Sequence, residues 1–338
     1  MSDVIVFDVA HGNCCLIRSE GECGVVDAPR KALLLNTLED MGIDCVDVAF
    51  ISHADKDHIA GIIGLLVSKT IKLKKLYVNP DSQKETKIWR SLCAAVRVAE
   101  REGSCEVITT LNTVTPGSVQ IGEIDVTVLA PSSAFVLGGS GSSDGQGRKV
   151  TSNSISAVLR LSGGEQPSLL LAGDIDEVGL DDALGDERDL SAQTLVFPHH
   201  GGLPASSDID SFVDTIMDAV RPALVIFSNG RGQHDNPRRE IVSPVAGRGC
   251  AIACTQLAKA CGKPVAPKDV HLEPYRAQGQ INGASCAGSM TIALSGEGCR
   301  PQPFHAAHQK FIDEAVETPM CRSVVAGDDG NFTGHGRT

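Results

Sequence analysis

The sequence predicts an α/β sandwich built from two similar halves, and three observations predict it. Short apolar runs of strand type alternate with stretches of helical periodicity along most of the chain. One such run, Ala49-Phe-Ile-Ser52, empties into His53-Ala-Asp55-Lys-Asp57-His58, two histidines and two aspartates within six residues. With 338 residues, of which 42% are hydrophobic, the chain is long enough to bury the core of one large α/β domain with appendages.

The elements follow in order. Residues 3–27 read as an opening hairpin, and 31–41 as a helix with Leu33, Leu34 and Leu38 on one face and Gly42 as its stop. Strand 46–51 delivers the His/Asp loop, and helix 59–68 leaves it. Strand 75–79 precedes a helix over 84–102, whose Trp89, Leu92, Val96 and Ala99 recur at helical spacing as a core stripe. Strands near 105–111 and 124–129 end the first half. The glycine- and serine-rich stretch 137–149 reads as a flexible connection in preference to a substrate lid, with Arg148 and Lys149 within reach of a phosphate. Strands 154–161 and 168–173, an acidic helix 176–184, strand 193–197, a helix 208–219 capped by Asp208 and Asp210, and strand 222–228 complete the second half. Three regions are expected: an α/β sandwich domain over 1–245, a cysteine-containing appendage over 246–300, and a C-terminal helix with a loose tail over 301–338.

The spacing His53-x-Asp55-x-Asp57-His58 lets the first three converge from one turn while His58 faces a second ion. Nitrogen and oxygen donors without cysteine suit hard or borderline divalent cations. A solvated turn with chance histidines is the bland alternative, and the recurrence of ligand types downstream weighs against it.

Five segments in order carry a resemblance: Ile5 to Ile17 with Val25-Val26-Asp27; Ser52 to Gly61; Asn153-Ser154 to Leu159 with Leu169 to Ile175; Val196-Phe-Pro-His199-His200-Gly201; and Leu224 to Gly230 leading to His234-Asp-Asn-Pro237. Together they resemble the metallo-β-lactamase fold, specifically the ComEC-like branch typified by the hydrolase domain of competence proteins. That resemblance implies the αββα sandwich, a dinuclear centre of manganese or zinc, with magnesium as a further option, and hydrolysis of phosphodiesters. It implies Asp174 as the carboxylate bridging both metals, His200 as a ligand on the His58 side, and His199 as a group that meets substrate. Asn13 falls to the substrate side, and His234 to the approach of the leaving group. Most of the superfamily carries histidine where this chain has Asp55 and Asn153. The harder Asp55 shifts preference toward manganese or magnesium, and Asn153 is a ligand, a water anchor or a turn residue.

Arg231 and Arg238 flank His234 in sequence and are the local candidates for gripping a phosphate. Two cations would acidify a water and neutralise charge developing on a phosphate, with Asp57, Asp174, His199 and His234 as the catalytic set. The leading expectation is a DNA nuclease, alone or with a protein partner in a bacterial defence or DNA-processing system. A formal charge of -12 opposes nonspecific binding to nucleic acid, so a local basic groove is needed, and Lys69, Lys72, Lys74, Lys75, Lys84 and Lys87 are the candidate stretch. A hydrolase of nucleotides, phosphocholine or lactones is the alternative, and a non-catalytic binding module the second.

Twelve cysteines without a basic, apolar leader at the start read as reduced thiols of a cytoplasmic protein. No run of about 18 apolar residues marks a membrane span. The C-terminal group stands apart: Cys254, Cys261 and Cys286, with His271 or another cysteine as fourth ligand, have spacing open to a structural zinc, although no standard finger matches. His305 and His308, one helical turn apart, read as surface histidines.

Overall fold

Alternating side chains along each strand sort the apolar residues into different layers. On the strand before the His/Asp loop, Val48 and Phe50 face one core while Ala49 and Ile51 face another. The computed structural model of the protein describes residues 2–29, 31–115, 119–164, 168–185, 187–204, 208–265, 271–294 and 303–322. Among them, fourteen strands form two seven-stranded mixed sheets. The first sheet holds β1 (Asp3–Val6), β2 (Cys15–Ser19), β3 (Glu22–Val26), β4 (Cys45–Ile51), β5 (Lys72–Val78) and β6 (Glu106–Ile108), with β14 (Met290–Ala293) antiparallel on β1. The second holds β7 (Val119–Ile121), β8 (Ile124–Ala130), β9 (Val158–Ser162), β10 (Ser168–Leu171), β11 (Thr194–Val196), β12 (Leu224–Phe227) and β13 (Ala251–Cys254).

The inner faces of the two sheets share one core, in which Phe50, Ile17, Leu159, Leu169 and Ile226 are fully buried. Outside the first sheet pack α1 (Lys31–Asp40), α2 (Lys56–Leu66) and α3 (Lys87–Glu102), through Leu34, Leu38, Ile59, Ile62 and Leu92. Outside the second pack α5 (Glu177–Gly185), α6 (Ile209–Val220) and α7 (Arg239–Gly247), through Leu180, Phe212, Ile216 and Ile241. This is the expected α/β sandwich of αββα layers. α3 begins at its cap, where Thr86 Oγ1 accepts from the Trp89 N–H, and ends at left-handed Gly103. On α6 only Asp208 caps; Asp210 lies in the first turn.

Phe50 is wholly buried and its ring stacks on Tyr77 at 5.4 Å between centroids. Phe50→Ala is expected to destabilise the fold by about 3–5 kcal/mol, because the rigid inner faces cannot collapse into the space left. A urea titration would read this as a lower midpoint at unchanged slope.

Several expectations change. Residues 152–155 form a turn, 156 and 157 continue outside any regular element, and β9 starts only at Val158. There Thr151 and Ser154 hydroxyls compete for local backbone and for Asp176, which displaces the strand ladder. Within the stretch 137–149, residues 141–149 double back as a short hairpin: the Gly141 N–H donates to Val150 O and the Val150 N–H to Ser142 O, and Arg148 pairs with Asp144 at 2.7 Å and Asp181 at 2.6 Å. Arg148 is thereby committed and does not reach for a phosphate. α4 (Ser133–Gly138) leads into this hairpin. Residues 246–300, set apart by sequence as an appendage, supply β13 to one sheet and β14 to the other. The last α-helix among the described residues is α8 (Pro303–Ala315), and His308 on it is buried, not a surface histidine. The loose tail from Gly327 and Cys299 lie outside the described residues. No described helix is long and apolar enough to cross a membrane.

Candidate metal centre

The candidate ligands stand at the carboxyl ends of parallel strands, where ligands of open α/β sheets gather. β4 ends in Ser52-His53-Ala-Asp55, and α2 starts immediately, placing Asp57 in its first turn and His58 on its buried face. β10 ends in Gly173-Asp174. Gly173 has φ +54°, and a Cβ there would lie 2.4 Å from Ser156 Oγ, so only glycine lets the Asp174 turn close. β11 ends in the one-turn 3-10 helix Pro198–Gly201, in which His199 and His200 are both left-handed. Tandem left-handed residues without glycine are strained, and here they turn two imidazoles toward Asp174.

Asp174 divides its oxygens between two sides. Oδ1 is 3.5 Å from His58 Nε2 and 3.6 Å from His200 Nε2; Oδ2 is 3.8 Å from His53 Nε2 and 3.9 Å from His199 Nδ1. Asp57 Oδ2 is 3.5 Å from His200 Nε2 and 4.0 Å from His58 Nε2. Donors about 2.1 Å from one tetrahedral ion would lie about 3.4 Å apart, so Asp57, His58, Asp174 and His200 are close to the separation one cation demands. Two close groups of donor atoms stand out, His11 with Asp57 and His200, and His53 with His58 and Asp174, each within 4.8 Å. His58 belongs to the second group, its ring 4.1 Å from that of His53, while its Nε2 also lies 4.0 Å from Asp57 Oδ2 of the first.

The buried polar atoms lacking a hydrogen-bond partner supply the test of fit. Among the described residues they are His11 Nδ1, Asn13 Oδ1, His53 Nε2, His58 Nε2, Asp174 Oδ1, His199 Nε2, both nitrogens of His200 and Arg238 Nε. All nine belong to this centre or its rim. Buried polar atoms are nearly always paired, so a cluster of orphans facing one another fits the divalent cations that such donors hold.

Electrostatics agrees. Burial raises the Asp174 pKa, but His200, His58 and His53 outweigh it and hold the carboxyl well below its usual range. Burial likewise opposes ionisation of Asp57, and His11, His200 and His58 overcome it. Burial disfavours charge on His58, yet Asp27 and Asp174 raise its pKa well above the imidazole range. A cation at Nε2 would compete with that proton. His199, pushed down first by burial, favours the neutral imidazole.

Asp55 sits differently. Its Oδ2 is 3.4 Å from His53 Nε2, while Oδ1 pairs with Lys84, whose ammonium also reaches Ser152 Oγ at 3.3 Å. Burial raises the Asp55 pKa, but His53 and Lys84 bring it down to about 2. Asn153 is carried on the adjacent turn by its N–H to Thr151 Oγ1. Asn13 is buried beside Asp27, Ser52 and Gly173 around a small cavity behind the centre.

Four residues were given no role at this centre by sequence reasoning. His11 Nε2 lies 3.2 Å from Asp57 Oδ2, its ring 4.5 Å from His200 and 4.7 Å from exposed His234. Its turn is pressed on α2 at Gly12, where a Cβ would lie 2.4 Å from the Asp57 carbonyl, and buried Asp8 ties the same turn to Gln256 Nε2 (2.7 Å) and the Gly279 N–H (2.9 Å). Asp27 Oδ2 accepts from His58 Nδ1 at 2.8 Å, and Asp27 also accepts from Ser52 N–H and Oγ. Lys84 was read only as part of a basic stretch. The signal for His11, Asp8 and Asp27 was present, since all three stand in the opening hairpin motif.

Two substrate expectations change or narrow. Arg231 donates to the carbonyls of Leu257, Ala258 and Gly262 at 3.1, 2.9 and 2.7 Å, which pins a loop and leaves its guanidinium committed. Arg238 stays on the rim, its N–H bonded to Gly201 O. The basic stretch also divides: the parallel register sets Lys72 opposite Cys45 and Lys75 opposite Val48. Those lysines lie about 17 Å or more along the strand from His53, and Lys74 and Lys75 pair with Asp47 and Glu106. Lys84 alone of the stretch is seen to pair with a residue of the centre.

Fold and centre together define an αββα protein with a histidine–carboxylate set able to hold divalent cations. No family model matches the chain, and no curated protein matches it. Among solved structures it is similar to the metallo-β-lactamase fold protein YhfI from Bacillus subtilis, with 14% identity over 75% of this chain and 96% of that one and a TM-score of 0.48. It is also similar to Igni18, a metallo hydrolase from the hyperthermophilic archaeon Ignicoccus hospitalis (12% identity, 87% and 100% of the chains, TM-score 0.45). A third is a diphosphatase from the PhnP family (12% identity, 71% and 81%, TM-score 0.39).

Proposed function

We propose that this chain is a metal-dependent phosphodiesterase of the ComEC-like branch, acting on DNA. The cluster of buried, unpaired imidazole and carboxylate atoms around Asp174 carries the reading. Held by His53, Asp55, Asp57, His58, Asp174 and His200, divalent cations would acidify a water and neutralise charge on a phosphate. Asp57 and His11 lie on one side of the site and Asp55 with Lys84 on the other, so Lys84 offers an ammonium to a phosphate oxygen when its hold on Asp55 loosens. His199, favouring the neutral form, accepts a proton from an incoming water, and His234 at the open rim is placed to protonate a leaving alkoxide. Manganese suits the carboxylate-rich side better than zinc. A partner from a defence or DNA-processing system would supply the basic surface that a net charge of -12 lacks.

The position of Lys72 and Lys75 at the far end of β5 favours a second reading, a hydrolase of small phosphodiesters that needs no nucleic-acid groove. Hydrolysis of labelled single- and double-stranded DNA beside bis(p-nitrophenyl) phosphate, with manganese, magnesium or zinc restored to stripped protein, separates the two. Manganese-dependent DNA cleavage lost in Asp57→Ala is the expected result. Turnover of the small diester without DNA cleavage would move the assignment to the second reading, and turnover of neither by protein carrying two metals would remove both for the isolated chain.

A further inference from the structure

Four cysteines distant in sequence meet at one place outside the hydrolytic centre. Cys254 ends β13, Cys261 ends the one-turn helix Lys259–Cys261, Cys286 follows in a later turn, and Cys321 lies in the one-turn helix Met320–Arg322 after α8. All four line one small cavity whose other walls are mainly apolar. Backbone bonds hold the segments together: Cys286 N–H to Thr255 O at 3.1 Å, Ala287 N–H to Cys254 O at 2.9 Å, and Thr318 N–H to Cys261 O at 3.2 Å. His308 Nε2 is 3.4 Å from Cys286 Sγ. All four are free thiols.

We infer that Cys254, Cys261, Cys286 and Cys321 form a structural zinc site that fastens the C-terminal helix to the second sheet. Four sulfurs lining one cavity with mainly apolar walls offer the donor set of structural zinc, which takes four ligands and keeps no open position. Cys321 replaces His271 of the sequence expectation. His271 Nε2 is engaged with the Cys286 carbonyl at 3.0 Å, and its ring stacks on Phe311 at 3.9 Å. The sulfurs stand wider apart than the close donor groups of the hydrolytic centre, and a change of χ1 rotamer moves a cysteine sulfur by up to about 3 Å, enough to close them on an ion. His308 is placed to donate to the Cys286 thiolate, the usual support for a metal ligand. The site would also brace the hydrolytic centre, because Gln256 and Ser285, neighbours of Cys254 and Cys286, both bond Asp8.

The test uses the full chain carrying Asp57→Ala and Asp174→Ala, one substitution in each donor group of the hydrolytic centre, so that metal there does not obscure the count. About one zinc per chain is expected to survive mild chelation, to leave on titration with a mercurial, and to be replaced by cobalt(II) with a sulfur-to-metal charge-transfer band. Cys321→His should keep the ion and shift that band, Cys261→Ser should lose it, and Cys250→Ser, outside the cluster, should change neither. Cobalt-loaded protein without the charge-transfer band, mercurial titration of the four thiols without zinc release, or a disulfide among them by mass spectrometry would each overturn the assignment.

Discussion

Asp174→Asn is expected to lower hydrolysis by more than about 100-fold, the upper end of what losing a mere supporting partner of a ligand costs. The amide keeps the volume of the carboxylate but removes its charge and puts an N–H2 where one oxygen stood. Since Oδ1 faces His58 and His200 and Oδ2 faces His53 and His199, either orientation of the amide spoils one side of the site. Metal content measured beside the rate should fall below that of the parent chain. Thermal stability in chelator at neutral pH should fall, because the imidazoles that hold the Asp174 carboxyl below its usual range stabilise its ionised form in the folded chain, and the neutral amide forgoes that attraction. Parental metal content and rate in Asp174→Asn would rule out the bridging role.

Asp27→Ala is expected to weaken metal binding by about 10–100-fold while also lowering stability. Asp27 is buried and accepts from Ser52 N–H at 2.8 Å and Ser52 Oγ at 2.7 Å, besides its 2.8 Å contact with His58 Nδ1. Removing it strands those donors, at about 1–3 kcal/mol for each left unpaired. It also leaves His58 free to rotate or change tautomer. Asp27 has φ +55°, a conformation that aspartate and asparagine tolerate better than alanine. Asp27→Asn therefore isolates the lost carboxylate from the backbone strain, and isothermal titration of manganese into both variants separates the two contributions. Equal affinity in parent and Asp27→Asn would show that His58 needs no carboxylate behind it.

The loop His53 to His58 was legible because its ligands are local: one strand end and one helix start place them within a few residues, whatever the rest of the chain does. Asp174 and His200 were singled out through the family resemblance of the motifs that follow β10 and β11, and the structure brings both to the candidate centre. Lys84 was not legible as a site residue. Its place depends on the route from β5 to α3, which returns it to Asp55, whereas its lysine neighbours in sequence stay at the far end of β5. Arg231 misled for a related reason, because the carbonyls that occupy it come from residues 257–262. The 137–149 stretch misled because glycine and serine report what the backbone may do, and not whether Asp181 waits to hold Arg148 in place.

By itself the sequence determined the alternation of strands and helices and the His53–His58 cluster, since both follow from periodicity and from residues adjacent in the chain, while the order of the later motifs was read through the family resemblance. Tertiary structure alone decided which distant groups share charge. His11 meets Asp57, Asp27 backs His58, Lys84 pairs with Asp55, and Cys321 joins Cys254, Cys261 and Cys286 around one cavity. The physical reason is that electrostatic and coordinating interactions act over a few ångströms of space, and only packing of the two sheets and their helices brings residues so far apart in sequence within that range.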